Sequence, residues 1–454
     1  VEPLPCILTV AGSDSGGGAG IQADLKTITV LGGYGASVIT ALTAQNTLGV
    51  TGIEAVTPSF VAQQLATVLD DIPVAAAKTG MLFSAEIIEA VAPLLAERDF
   101  ALVVDPVCVA QGGAKLLRDD AVAAMIEMIF PLADLVTPNL FEAELFAGRE
   151  ITCREDVFAA IEAILDRGPA AVLIKGGHFD SPVVTDWLGV RGGRPVPLMH
   201  QRVDTKNLHG TGCTLSAAIA TGLGQGLDLI PAVVRAQKFL NLGLRAGWEL
   251  GRGSGPVNHS APLIKDRARV GVLEDLERAG EALSAMDGLA RLIPEARLNL
   301  ALALPFADGP EEVAAFSGRV TCTEQGRVLV AGGPRFGASA HLARVLLSAR
   351  RVLPGLTCVA NIRHDAEILR AARACKLEEA WFDRAEEPRH AKEMEGSTLD
   401  WGTYQALDSH PHPGRVDMVC DRGGPGQEPM IRIFAGSVDV LLDKLARVAS
   451  ALAG

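Results

Sequence analysis

Residues 207–220, NLHGTGCTLSAAIA, decide how this chain is read. Two glycines, a threonine and a cysteine open an apolar run with helical spacing, so the amides of Gly210, Thr211, Gly212 and Cys213 are expected to point out of a helix N-terminus. Such an end is an anion site before any side chain contributes. Glycine lets the backbone approach a phosphate closely, and Cys213, seated at the positive end of the helix, is expected to be biased toward thiolate. That combination suits phosphoryl transfer, where catalysis is mostly positioning and neutralisation of charge. The same residues also fit a glycine turn that merely starts a buried helix, with Cys213 a small core residue.

Upstream of this stretch the chain alternates between strand-like and helix-like runs. CILTVA at 6–11 ends in a glycine-rich loop, GSDSGGGAG, before IQADLKTITVLGG resumes with helical spacing. The loop fits neither G-x-x-x-x-G-K-[ST] nor a clean G-x-G-x-x-G, so alone it is a weak phosphate signal. Asp24 follows one turn after Gly20, and a second strand, ASVITALTAQN, brings Gln45 to its end. A side-chain amide there offers a donor and an acceptor to the edge of a flat heterocycle. A solvent-facing Asp24 and a turn-capping Gln45 fit the pattern as well.

Further strand-like runs, VAAAKTGM, FALVVDPV, DLVTPN and AAVLIKGGH, follow at α/β spacing. Their near-continuous hydrophobicity suits a sheet covered on both faces, and ligands of such sheets gather at carboxyl strand ends. Asp105, Asn139 and Lys175 fall there. In TPNLFEAELF, Thr137 reads as an N-cap and Pro138 as a first-turn proline, placing Asn139 and Glu142 on one face. Oxygen groups so placed suit the water shell of a magnesium ion carried by a nucleotide, although capping and a surface Glu142 explain them too. Lys175, followed by two glycines, is placed to meet a phosphate.

A formal net charge of −13 over 454 residues argues against a broad nucleic-acid or anionic-membrane surface. No apolar run reaches the roughly 18 residues of a membrane span, and the N-terminus lacks a secretory pattern, so a cytoplasmic protein is expected. Eight cysteines, none in a C-x-x-C pair, do not form a disulfide or zinc framework. The length implies at least two domains. The Gly/Ser/Pro cluster at 251–262 reads as a linker between residues 1–262 and 263–454. Beyond it the character changes: an amphipathic helix over 263–287, a strand in NLALALPFAD, a hairpin in RVTCTEQGRVLVAG, a helix with His341 in its first turn, strands in TCVANIR and PMIRIFAG, and a last helix from Val438. RAEEPRHAKEMEGSTLDWG reads as an exposed loop.

Taken in order, AGSDSGGGAGIQADLKT, VITALTAQNTLGV, KTGML, DPV, TPNLFEAELFAG, IKGGH and NLHGTGCTLSAAIA resemble the hydroxymethylpyrimidine phosphate kinases of thiamine biosynthesis. The resemblance covers about residues 6–262 and implies an α/β chain whose first domain is a ribokinase-like three-layer α/β/α fold using ATP and Mg2+. It implies that Asp24, Gln45, Met81 and Val107 meet the pyrimidine, that Lys175 and the amides of 210–213 hold the transferred phosphoryl group, and that Asp105, Asn139 and Glu142 support the magnesium nucleotide. It makes Cys213 the base, or an activating partner, where ribokinase relatives carry an aspartate. The stretch after DPV, CVAQGGAKLL, departs from the usual family pattern.

Residues from about 270 to 454 resemble the α/β thiamine-phosphate synthase domain found fused behind this kinase, through SGRV, FGASAHLARVLLSA, ANIRH, FDRAEEP, EGSTLDWG and PGQEPMIRIF. The implied reaction joins the pyrimidine diphosphate to a thiazole phosphate and releases pyrophosphate, with Arg319 and His341 as the essential pair. Arg319 would neutralise the leaving oxygens, and His341 would donate a proton or hydrogen bond. Asn361, Arg363, Arg384 and Ser397 are further candidates for phosphate contacts, and ordinary surface positions explain them equally. Two alternatives stay open: a second domain that only binds thiamine phosphate and regulates the kinase, and a vitamin-B6-type kinase activity in the first. The partners expected are small molecules, with no nucleic acid or membrane and a homodimer through the kinase domain.

Overall fold

The computed structural model describes residues 4–108, 117, 119–177, 181–387, 397–424 and 426–452. The chain divides into two compact units, Val1–Leu263 and Ile264–Gly454.

The first unit is built on nine strands: β1 (Cys6–Asp14), β2 (Tyr34–Asn46), β3 (Gly49–Ala55), β4 (Val74–Thr79), β5 (Ala101–Val104), β6 (Leu135–Val136), β7 (Ala171–Ile174), β8 (Val183–Val190) and β9 (Val196–Gln201). Their order in the sheet is β3-β2-β1-β4-β5-β6-β7-β8-β9, parallel from β2 to β7 and antiparallel at both edges. Alternation along each strand sends side chains to two helical layers. Leu8, Val104 and Val172 pack with Val61, Ile88 and Val157 of one layer, whereas Ile7, Val103 and Leu173 pack with Ile28, Ile219 and Val233 of the other. Both faces being apolar, the strands read as continuous hydrophobic runs, and a three-layer α/β/α unit results.

Two expectations fail here. Thr137 is not an N-cap, because its amide still donates to Val104 O at 2.9 Å as an extension of the sheet. The helix Leu140–Ala147 is capped by Asn139, whose Oδ1 accepts from the Glu142 amide while the Glu142 carboxylate accepts from the Asn139 amide. Nor is the Gly/Ser/Pro cluster a free linker. Gly253 donates to Thr47 Oγ1, Ser254 Oγ donates to Lys206 O, and Pro256 bridges to His209, so the segment wraps the first unit. The division between units falls in the first turn of the helix Ala261–Ala285.

His259, just before that helix, is 5% exposed and shares a hydrogen bond of 2.9 Å with Thr214 Oγ1. Burial pushes its imidazole down to about 4. The folded unit therefore keeps His259 neutral while the unfolded chain takes up a proton near pH 6.5. Its contribution is complete above pH 6.5 and is lost as pH falls toward 4, by about 3 kcal/mol in total. Denaturant titration of wild type and His259→Gln should show the variant losing less stability between pH 6.5 and 4.5. Parallel losses would refute this assignment.

The second unit carries β10 (Leu300–Ala303), β11 (Val313–Phe316), β12 (Val320–Cys322), β13 (Val328–Val330), β14 (Pro334–Phe336), β15 (Cys358–Arg363), β16 (Glu378–Trp381), β17 (Val416–Asp421) and β18 (Met430–Ala435). Seven form a sheet ordered β14-β11-β10-β15-β18-β17-β16, and β12 with β13 make the expected hairpin. Only β16 and β17 pair in parallel among the described strands of this sheet. Leu300, Ile362 and Ile433 face Leu276, Ile368 and Leu445, while Ala301, Val359 and Phe434 face Leu342, Leu346 and Leu407. The final helix, Val438–Ala451, is capped by Ser437. Residues 388–396 of the expected loop lie outside the described residues, as does most of CVAQGGAKLL. Among the described residues no helix is long and apolar enough to cross a membrane.

Candidate functional site

In the first unit a cavity of about 720 Å³ opens at the carboxyl ends of the parallel strands. The turn before the helix Thr211–Gly224 forms one wall. Gly210 has φ +81°, and a Cβ there would lie 1.9 Å from Gly18 O, so only glycine permits this approach to the glycine-rich loop. Asp14 organises that loop: its carboxylate accepts from the amides of Gly16, Gly18 and Ala19 at 2.8, 3.0 and 2.8 Å, and His209 Nε2 lies 2.9 Å away. Burial works against the charge of Asp14, but the hydrogen bonds from His209 and the amides prevail and hold its carboxyl below the usual range.

Lys175 Nζ lies 3.0 Å from Asp105 Oδ1. A Cβ on Gly212 would sit 3.2 Å from Asp105 Oδ2 and 3.4 Å from Lys175 Nζ, so the ion pair abuts the helix start. The Gly176 amide, next in the chain, donates to Asp186 Oδ1 at 2.7 Å, which fixes the strand end carrying the lysine. Burial disfavours the Lys175 cation, yet Asp105 and Glu142 more than offset it and raise its pKa. A fixed cation and an open helix end thus converge on one face of the cavity, the arrangement a transferring phosphate needs.

Cys213 lines the same wall at 9% exposure. Burial pushes its thiol up to about 11, overcoming the favourable pull of Lys78, so the expected thiolate bias is not met in the free chain. Asp24 is a second correction. It is fully buried, with both carboxylate oxygens 3.1 Å from Lys78 Nζ and one accepting from Thr9 Oγ1 at 2.6 Å, and it does not line the cavity. The carboxylate at the cavity on that side is Asp14. A lysine inside an otherwise apolar strand, VAAAKTGM, demands a buried acid, and that was the available signal for the pair.

Gln45, Met81 and Val107 line the cavity. Gln45 Nε2 lies 3.2 Å from His209 Nε2, and Val107 sits at φ +41°, a strained conformation for a β-branched residue. The three expected magnesium supports do not form a cage. Asn139 and Glu142 are committed to their reciprocal cap, and the other Glu142 oxygen accepts from the Cys108 amide at 3.1 Å. Among the described residues no three His, Cys, Asp or Glu groups gather to hold a metal. Asp105, which lines the cavity, receives a hydrogen bond from Ser216 Oγ on Oδ2 at 3.4 Å.

In the second unit, His341 stands in the first turn of Ala340–Val352. His341 is exposed to solvent as a residue; partial desolvation of its ring, with the cations Arg432, Arg384 and Arg319, pushes its imidazole down to about 4, against the pull of Asp421. It is therefore neutral at pH 7: a hydrogen-bond donor in the free chain, not a pre-protonated acid. Arg384 Nε donates to Asp421 Oδ1 at 2.7 Å, and Arg432 Nη1 donates to Asp421 Oδ2 at 2.6 Å. Arg319 is exposed with φ +66° and donates to Ala296 O. Asn361 is not free for phosphate, since its amide accepts from Asn299 N and donates to Arg297 O. Arg363 is paired with its near neighbour Asp365. Ser397 opens the helix Ser397–Asp408, and its side chain lies outside the described residues.

The family model for phosphomethylpyrimidine kinase matches residues 14–258, more than half of the chain. The chain belongs to the phosphomethylpyrimidine kinase family. A second model, thiamine-phosphate synthase ThiN, matches residues 275–447, so this member of the kinase family joins its kinase domain to a ThiN-type domain. It is 52% identical over 268 residues to the thiamine biosynthesis bifunctional protein ThiED of Geobacter sulfurreducens, covering 58% of this chain and 54% of that one. The chain thus spans about half the length of that relative. It is 53% identical to the hydroxymethylpyrimidine/phosphomethylpyrimidine kinase of Rhizobium meliloti over 262 residues, 57% of this chain and 98% of the relative. Among solved structures, an ADP complex of Bacillus subtilis pyridoxal kinase is similar at TM-score 0.53 and 34% identity, over 57% of this chain and 99% of that one. Staphylococcus aureus pyridoxal kinase with AMP-PCP and pyridoxal is similar at 0.52 and 35%, over 57% and 94%. The first unit therefore has the ribokinase-like fold shared with pyridoxal kinases.

Proposed function

We propose that the first unit transfers phosphate from ATP to hydroxymethylpyrimidine and to its monophosphate, and that the second joins the resulting diphosphate to a thiazole phosphate, releasing pyrophosphate and leaving thiamine phosphate. The observation that carries the kinase half is the convergence of Lys175, Asp105 and the 210–213 amides on one cavity wall. Lys175 and the amides hold the transferring phosphoryl group, while Asp105 positions Lys175 and would support the water shell of a magnesium ion carried by the nucleotide, which would neutralise phosphate charge. Cys213 is a thiol at rest and acts in the fraction that has first lost its proton to solvent: the thiolate accepts the hydrogen bond of the attacking hydroxyl and takes its proton as the phosphoryl group transfers, returning to the thiol. Gln45, with Met81 and Val107 beside it, reads the pyrimidine edge. In the second unit Arg319 and Arg384 draw the diphosphate, and neutral His341 donates to the departing oxygen. Part of the same proposal is a cytoplasmic homodimer formed through the kinase domain.

Likeness to pyridoxal kinases raises a second substrate. ATP-dependent phosphorylation of hydroxymethylpyrimidine and of pyridoxal by the purified chain decides between them. The pyrimidine should have the higher kcat/KM, and Gln45→Leu should raise its KM by at least about tenfold, because a ring edge loses its amide partner. A preference for pyridoxal, unaffected by Gln45→Leu, would contradict the reading.

A further inference from the structure

Arg432 lies in β18, in the interior of the seven-stranded sheet, between Ile431 and Ile433, and is fully buried. It shares its face of the strand with Phe434, which packs among Leu342, Leu346 and Leu407, so an apolar side chain would serve packing better than an arginine. Only Nη1 is satisfied, by Asp421, which is itself fully buried. Nε and Nη2 are shielded from solvent and have no hydrogen-bond partner among the described residues. Buried donors on a charged group are costly to leave open. The open pair is the side-on edge of the guanidinium, the edge that grips a phosphate through two parallel hydrogen bonds.

The surroundings carry the same sign. Asp421 is shared between Arg432 and Arg384, so the buried triad keeps one positive charge in excess. Arg319 and His341 complete the group of charged and titratable side chains acting on one another here. Arg384, 13% exposed at its side chain, is the more solvent-accessible of the two arginines on Asp421, and the Phe382 ring packs 5.9 Å from the Arg432 guanidinium carbon.

We propose that Arg432 is the buried anchor of a phosphate site in the second unit: Asp421 holds Nη1, and Nε with Nη2 binds the oxygens of a phosphate ester or diphosphate that enters past Arg384 and shifts Phe382. The choice of ligand rests on the synthase reading above. Two sources share this chemistry, the diphosphate of the pyrimidine and the phosphate of the thiazole.

The test uses the full chain, with inorganic pyrophosphate as the probe. Calorimetric titration of wild type should give binding that Arg432→Lys weakens at least about tenfold, since lysine keeps the charge but not the fork. With pyrimidine diphosphate supplied directly, the same variant should raise KM for that substrate if the diphosphate is the occupant, or for thiazole phosphate if the ester is. A crystal structure of wild type with pyrophosphate guards against a variant that misfolds: an oxygen within hydrogen-bond distance of Nε or Nη2 supports the site. Binding and both KM values unchanged in Arg432→Lys, or an anion bound elsewhere in the unit with Arg432 still open, would overturn it. If wild type makes no thiamine phosphate yet pyrophosphate binding still depends on Arg432, the synthase reading fails and the anion site stands.

Discussion

Cys213→Ala is expected to slow pyrimidine phosphorylation by about 100-fold or more, the usual scale for loss of a positioned proton acceptor. Synthesis of thiamine phosphate from supplied pyrimidine diphosphate should continue at the wild-type rate, because Cys213 belongs to the first unit alone. The chemistry adds a sharper expectation. With the thiol pushed up to about 11 by burial, the thiolate fraction grows through the whole accessible range, so a Cys213 base makes kcat/KM climb between pH 6.5 and 9. That slope should vanish in Cys213→Ala. A slope that survives the substitution would assign the proton to another group and leave Cys213 a packing residue. Equal loss of both activities in a folded protein would contradict the separation of the sites.

Arg319→Ala and His341→Ala should do the converse, each lowering thiamine-phosphate formation by about 100-fold or more and sparing the kinase, because charge on a departing diphosphate is the dominant demand of that step. Since His341 is held down to about 4, its donor role needs only the neutral ring. The synthase rate should therefore stay level from pH 6 to 8 rather than fall with deprotonation near 6.5. A steady-state profile with a break near 6.5 that disappears in His341→Ala would show instead that the protonated imidazole acts.

The layered fold was legible because strands buried on both faces write themselves as apolar runs, as CILTVA and FALVVDPV do. Edge and short strands were not. β3, with two glycines and a largely exposed face, carries little hydrophobic signal, and β14 and β16 are only three and four residues long. The strand-end rule put Lys175 and Asp105 beside the cavity, since topology gathers strand ends whatever their side chains do. Asp24, whose contact with the pyrimidine was implied by the resemblance, has its carboxylate taken up by Lys78 from another strand, a pairing that spacing along the helix does not show. Asn361 failed for a similar reason, its amide being used by Asn299 and Arg297 across the sheet. Arg432 was visible in MIRIFAG as a charge within a strand. Only the fold shows that it is fully buried with two donors open.

One assay bears on the whole account: the purified chain with hydroxymethylpyrimidine, ATP, magnesium and thiazole phosphate, with thiamine phosphate followed by its conversion to fluorescent thiochrome. Wild type should make thiamine phosphate, whereas His341→Ala should make it about 100-fold or more slowly and accumulate pyrimidine diphosphate. Accumulation of the diphosphate by wild type, with no thiamine phosphate, would contradict the account and make the second unit a binding module.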